Sequence, residues 1–436
     1  MNYDGKKIGL AFSGGGYRAA AYHIGVLRTL NRLGVLEKVD VISSVSGGSI
    51  VAAYYALHQN EGYEAFEKSF IEKLQHSVIK EVYWTGISAV VIAVILFLVL
   101  PFFIGVIANL LVLFFGVIIF LWQYKVLPWN KFIEKQYVKN FFGETTLKDL
   151  PEMPLVAINA TDVETGTLFT FSRAKMSCYK YEFAEEPTKF KGDAFPVSRA
   201  VMASSCVPHL FPPVKVDECY QDGKMLSDVL LVDGGLYDNQ GAHKLTQINS
   251  SYYTEYCIVS DAGNTFLSNA GSRNSLRLVL KTVDIMMNRI RSVQAFLNMF
   301  TQLHPDSRFA YVALKWDEND EVERFVSNVK RGAVYEDVLQ AHHITEQMLS
   351  EMNDKDKDKG NHAFAKMVEH VKSNIGWDEL RNKIPSKEVL NVAQSVGTNL
   401  KALSPEQIQA LIAHSEWLSE VQIRLYLPFL IKQDTE

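Results

Sequence analysis

Two short stretches of this chain carry residues able to do nucleophilic chemistry. VISSVSGGSI, Val41 to Ile50, places four serines and two glycines at the end of an apolar run. LLVDGGLYDNQG places Asp233 at the end of another, with two glycines behind it. A serine that attacks a carbonyl usually sits in a strained strand-to-helix turn of the form G-x-S-x-G, where small neighbours two before and two after relieve crowding. Ser46 has Ser44 two before and Gly48 two after. Ser49 is followed at the same distance by branched Val51, Ser44 is preceded by Ile42, and Ser43 by Val41. Ser46 therefore fits the nucleophile best. The plainer reading is a helix N-cap, which Ser46 or Ser49 could also fill.

An attacking serine needs a base and a place for the oxyanion. Asp233, at a strand end, could take the proton directly, or could only close an Asx turn, a frequent role for D-G. The order Ser…Asp also permits a later histidine. His243 and His304 are the candidates, though neither follows a strand in a compact turn. For the oxyanion, LAFSGGGYRAA sets Gly14, Gly15 and Gly16 between a strand and a helix, where amides and a helix N-terminus favour an anion. The same residues fit G-x-G-x-x-A, a dinucleotide fingerprint. That fingerprint wants an acidic residue at the C-terminal end of the second strand. Asp40 stands at its beginning, which favours acyl transfer.

The elements that must hold these turns alternate. KKIGLAF and VDVISSV read as strands, YRAAAYHIGVLRTLNRLG as a helix with Gly34 as its stop, and SGGSIVAAYYALHQ as a second helix. MPLVAINA, LLVDGG, TEYCIVSDAG and FAYVALKW read as further strands, with a hairpin turn at Glu164-Thr165-Gly166. SRAVMASSCVP reads as a short helix capped by Ser198, residues 274–303 as a long one, EMNDKDKDKGNH as a polar loop, and residues 318–436 as mostly helical. Alternating β and α implies a mostly parallel sheet with helices on both faces.

Together the three turns resemble the patatin-like phospholipase family. SGGGYR is similar to its glycine-rich oxyanion motif, SVSGG to its elbow and VDGG to its D-G-[GA] motif. NATDVETG, AVMASSCVPHLFPPV, LYDNQG and the terminal LSPEQIQALIAHSEWLSEVQIR also look like stretches of bacterial-type members, so the likeness covers most of residues 5–265 and part of the C-terminus. The resemblance implies a three-layer α/β/α domain and a Ser46–Asp233 dyad without histidine. It also implies an oxyanion hole from Gly14, Gly15 and Gly16 ordered by Arg18, with no metal and no cofactor. One residue departs: Ser44 stands where the family usually has glycine. If that position is extended the serine costs little; a positive φ would cost about 1 kcal/mol or more.

A net charge of -5 on 436 residues, without a long basic block, argues against a nucleic-acid partner. Cys178, Cys206, Cys219 and Cys257 have no metal-ligand spacing and no signal peptide precedes them, so reduced thiols and a cytosolic main body are expected. From Gly86 to Trp122 no residue is charged. A membrane span takes about 20 apolar residues, and Pro101, Gly105 and Asn109 interrupt the run. The expectation is an inserted transmembrane helical hairpin with both lysine-flanked ends in the cytoplasm; a buried core hairpin and a re-entrant or monotopic loop are the alternatives. The divisions expected are 1–82 and 126–317 for the catalytic domain, 83–125 for the hairpin and 318–436 for a helical C-terminal region. The function expected is a membrane-associated hydrolase of lipid acyl esters, its catalytic part on the cytoplasmic side and its partners membrane lipids and the bilayer. A transacylase or neutral lipid lipase with the same dyad, and a non-catalytic lipid-binding scaffold, stand as alternatives.

Overall fold

The computed structural model describes residues 5–99, 102, 105, 107–122, 124, 128–185, 187–208, 210–216, 229–248, 250–263, 275–300, 305–316 and 320–431. His304, Cys219 and Pro101 lie outside them.

Among the described residues nine strands form one sheet. Five are parallel, in the order β3 (Leu155–Asp162), β2 (Val39–Val45), β1 (Ile8–Phe12), β8 (Tyr256–Asp261) and β9 (Arg308–Ala313). Four are antiparallel additions at the β3 side: β4 (Leu168–Phe171), β5 (Met176–Cys178), β6 (Val214–Val216) and β7 (Val229–Asp233). The sheet is thus mixed rather than mostly parallel. A two-sided apolar strand looks the same whichever way it runs, and β4 and β7 are buried like their parallel neighbours.

Side chains alternate across the sheet with period two. Ile8, Leu10 and Phe12 of β1 join the larger core, while Ala11 faces the smaller one, with Val41, Ala157, Cys257, Val259, Phe309 and Tyr311. Helices α1 (Gly16–Arg32) and α2 (Gly47–His58) serve the larger core. On the other face lie the segment around Ala242, Leu245 and Tyr252, and Ala295 and Met299 of the long helix Ser275–Phe300. Helix α1 is buried nearly all round, because the helix Pro405–Tyr426 covers the side turned away from the sheet. The last helix opens with a capping box from Ser404 and Gln407 and Pro405 in its first turn. Arg32 and Arg424, at 2.7 and 2.6 Å, close on buried Glu420. Gly34 has φ +64, and the Val35 amide reaches back to the Leu30 carbonyl, so α1 stops at that glycine.

Local expectations fail where a side chain outweighs composition. The polar stretch EMNDKDKDKGNH is mostly helix, because Asp356 caps the helix Lys357–Ile375 through the amides of Asp358 and Lys359. Ser198 is not a cap: Pro196 holds that position before the helix Val197–Ser204, and the buried Ser198 hydroxyl has no partner. The cysteines described, Cys178, Cys206 and Cys257, are free and buried.

The expected transmembrane hairpin does not hold, nor does the integral placement built on it. Among the described residues no helix is long and apolar enough to cross a membrane. The apolar run is divided between Lys80–Val99, which opens on polar residues, and Ile107–Leu121. The 15 residues of the second reach about 22 Å, short of a core of about 30 Å. Most of the large apolar side chains described in the two helices stay outside the protein core; Leu98 is 59% exposed and Phe120 71%, while Ala108 is buried.

The crossing of α1 and the last helix is a backbone contact. A Cβ at Gly25 would lie 2.8 Å from the Glu416 nitrogen and closer still to the Ile412 carbonyl. Gly25→Ala is expected to lower the unfolding free energy by about 1–3 kcal/mol, measured as a lower denaturant midpoint with unchanged slope. A midpoint equal to wild type would refute the close crossing.

Candidate active site

Strands β2 and β7 meet head-on beside β3. Val45, the last residue of β2, pairs with Asn159; Asp233, the last of β7, pairs with Ala160, the next position along β3. Both chains must leave the row there. Ser46 turns out of β2 with φ 52 and ψ -122, a conformation L-residues rarely adopt. It occupies the N-cap position of α2 but makes no side-chain cap bond, so the N-cap reading is not realised. Of the four serines, Ser43, Ser44 and Ser49 are wholly buried and Ser46 alone keeps some surface, 8%.

Ser44 lies in extended β2, paired with Phe12 on one side and Ile158 on the other. Its hydroxyl donates to the Ala157 carbonyl at 3.3 Å and accepts from Ser49 Oγ at 3.1 Å. The position needs no positive φ, so a serine there is tolerated. Glycine is required two residues further on: a Cβ at Gly48 would sit 2.5 Å from the Phe12 carbonyl oxygen.

Asp233 is buried, its amide donating to Cys206 and its carbonyl accepting from Thr161 Oγ1. Oδ1 accepts from the Gly235 amide at 2.8 Å, an Asx turn that leaves Oδ2 for another donor. Burial pushes this carboxyl up to about 6, and the Gly235 amide and the Ser46 hydroxyl, which favour the ionised form, restrain the rise. A Cβ at Gly234 would strike the Asn159 carbonyl and approach Val45 Cγ1 to 2.9 Å, so this turn too depends on a missing side chain.

The glycine turn lies directly against the serine. A Cβ on Gly14 would be 3.2 Å from Ser46 Cβ, and one on Gly47 would strike the backbone of Gly16. The N-termini of α1 and α2 therefore abut, and neither carries an acidic residue in its first turn. The three glycine amides are not equivalent. That of Gly14 donates to the Asn239 carbonyl at 3.1 Å, while no hydrogen bond occupies those of Gly15 and Gly16 among the described residues. Arg18 is buried and donates to the Val396 carbonyl at 3.2 Å, and Tyr17 donates its amide to Asn399. Burial, and the charge of Arg291, lower the Arg18 pKa to about 10.

Three positioning residues escape motif reading. Ser204 Oγ accepts from the Ser46 amide at 2.9 Å, donates to the Asn159 carbonyl at 2.6 Å and bonds Ser49 Oγ at 2.8 Å. Asn159 Nδ2 reaches Ser43 Oγ and the Ser44 carbonyl, and its Oδ1 accepts from Thr170. Asn239 brings a buried, unpartnered Oδ1 between Gly14 and Gly235. All three fall within stretches that carried the family resemblance, Asn159 in NATDVETG, Ser204 in AVMASSCVPHLFPPV and Asn239 in LYDNQG, the signal that could have flagged them. His243 turns elsewhere: its ring meets Gln247 and stands edge-on to Tyr237. The buried His23 nearby bonds Ser260 Oγ and the Ser13 carbonyl, and burial lowers its pKa to about 4.

These features define an α/β protein with a serine at a strained strand-to-helix turn and a buried carboxylate at the neighbouring strand end. The chain belongs to the patatin-like phospholipase family, a family of lipid acyl hydrolases, whose family model matches residues 10–245. Among solved structures it is similar to VipD from Legionella pneumophila, at 13% identity over 99% of this chain and 92% of that one; the TM-score of 0.27 is too low to carry an argument. No curated protein matches the chain in sequence.

Burial of Asp233 has a consequence for stability. Its carboxyl holds a proton more tightly folded, at about 6, than unfolded, near 3.9. The favourable contribution is complete below the unfolded value and is lost as pH rises through 6. Asp233→Asn is therefore expected to be more stable than wild type at pH 8, by about 1–3 kcal/mol, with the gap closing below pH ~4. Asp238, also raised to about 6 by burial, is common to both proteins, so paired denaturant titrations isolate Asp233. A gap independent of pH would refute the assignment.

Proposed function

We propose that this protein is a serine hydrolase of lipid acyl esters working through Ser46 and Asp233 alone. The observation that carries the reading is the positive φ of Ser46 at the point where β2 meets the strand end bearing Asp233. A conformation this costly persists where its surroundings impose it, and such strain gathers at functional sites.

In this reading Ser46 Oγ forms a bond to the ester carbonyl carbon while its proton passes to Asp233. The carbonyl oxygen becomes an oxyanion, held by the amides of Gly15 and Gly16 at the abutting helix N-termini. Gly14 shapes the turn and does not donate, since its amide is taken by Asn239. Arg18 fixes the turn from behind through Val396. Collapse breaks the bond to the leaving alkoxide, which takes the proton from Asp233, and leaves an acyl-Ser46 ester. Water, giving a proton to Asp233, attacks that ester; the Ser46 Oγ–acyl bond breaks, Oγ takes the proton back from Asp233, and the fatty acid leaves. Support comes from the family membership and from His243 having its ring engaged with Gln247.

Ser46→Ala and Asp233→Asn are each expected to lower kcat/KM for a p-nitrophenyl ester by about 1000-fold or more, the order that follows loss of a nucleophile or base. His243→Ala is expected to stay within threefold or so of wild type. The wild-type rate should fall about tenfold per pH unit below a pKa of about 6. A fluorophosphonate should label Ser46 in the folded protein. Retained activity in both dyad variants would overturn the mechanism; no label on Ser46 would favour a non-catalytic lipid-binding protein.

A further inference from the structure

The long helix Ser275–Phe300 contributes neither nucleophile nor base, yet it touches the turn that carries Asp233. The contact is made where Gly235 lacks a side chain. Met287 Cε lies 2.5 Å from the point a Gly235 Cβ would occupy, Asn239 Oδ1 2.7 Å and Asp233 Oδ1 3.0 Å. Three side chains thus converge on one point beside the dyad, and Met287 is the apolar one.

One buried ion pair fixes the helix against the site, and a charge attraction adds to it. Arg291 Nη1 stands 3.4 Å from Asp261 Oδ1, both side chains buried, at the end of β8. Asp284 and the buried Arg18 behind the glycine turn attract each other. Positions 284, 287 and 291 are three and four apart and share a helix face, so Asp284 and the paired Arg291 lie on either side of Met287. Val283 and Ile290, four before and three after, are half-buried and extend an apolar stripe along the same side.

We propose that Met287 is a specificity-determining wall for the acyl chain of the ester attacked by Ser46. The inference rests on the hydrolase reading above. In the tetrahedral intermediate the carbonyl carbon has four substituents. Ser46 supplies one, the glycine turn faces the oxyanion, and the leaving alcohol and the acyl chain remain. In a glycerolipid the cleaved acyl chain is wholly apolar, whereas the leaving alcohol carries the polar glycerol and headgroup next to the reacting ester. Near the ester it is the acyl chain that gains by lying on Met287, Val283 and Ile290, while the headgroup would lose its water there. Methionine suits such a wall because its unbranched thioether adapts to a flexible chain.

The test compares kcat/KM for p-nitrophenyl laurate and butyrate, which share a leaving group. Met287→Gln keeps the length of the side chain and makes it polar, and is expected to lower the laurate-to-butyrate ratio about tenfold, the order set by desolvating an amide against hydrocarbon. Met287→Trp, which narrows the path, should lower it likewise, and Met287→Leu should keep it within about twofold of wild type. The rate of Ser46 labelling by long-chain against ethyl fluorophosphonate should follow the same order without turnover. A ratio unchanged in the Gln and Trp variants, with Ser46 still labelled, overturns the wall and leaves the hydrolase reading intact. No labelling of wild-type Ser46 by either probe overturns the hydrolase reading and the wall together.

Discussion

Beside β3 there is one row of backbone hydrogen-bonding groups, and two strands share it end to end. β2 uses it as far as Asn159 and β7 from Ala160 onward. Neither can continue, because an unpaired backbone group inside a sheet costs about as much as a lost hydrogen bond and the next position is already taken. The collision turns Ser46 out of the plane and forces its φ to +52. It brings the two chain ends together, so that Gly234 must be bare to clear Asn159 and Val45. It also sets α2 leaving at once, with Gly47 pressed on Gly16 and Gly48 on Phe12. Serine, carboxylate and glycine turn are close because of one pairing register.

That register opposes stability. A carboxylate at the end of β7 has almost no access to water, and its pKa rises accordingly. A hydrophobic residue of similar volume would bury more cheaply. The protein keeps the costly group and surrounds it with small compensations: the Asx turn to Gly235, the Thr161 hydroxyl on the carbonyl and Cys206 receiving the amide. Ser204 does the same for the elbow, taking the Ser46 amide that the strained turn removes from the sheet. Strain and burial at the site are met by polar contacts drawn from β3 and the helix Val197–Ser204.

The sequence made Ser46 and Asp233 legible because their neighbours are constrained: only small residues fit around such turns, and small residues are visible in a string of letters. Gly34, the β3–β4 hairpin and the ending of α1 were legible for the same reason. Ser204, Asn159 and Asn239 were not, because each acts through contacts with residues far along the chain and sits in no periodic pattern. The direction of β7 was hidden because a strand's composition says whether it is buried but not which way it runs. Ser44 looked like a defect against the family pattern, yet its backbone is ordinary strand and its hydroxyl is bonded. The apolar run from Gly86 to Trp122 misled for another reason. Hydropathy adds residues, whereas crossing a bilayer requires one uninterrupted helix of sufficient length.

The glycine turn is completed from the other end of the chain. Tyr17 and Gly16 lean on Asn399, and Arg18 on Val396. On the ribosome these partners emerge some 380 residues after the turn itself, a delay of roughly 20–80 seconds at 5–20 residues per second. Until then the strands that carry Ser46 and Asp233 can pair, while the turn that faces the serine lacks its backing. The order of synthesis therefore separates the making of the serine turn from the completion of the glycine turn, and the strained backbone at Ser46 is set before the surroundings of the proposed site are whole.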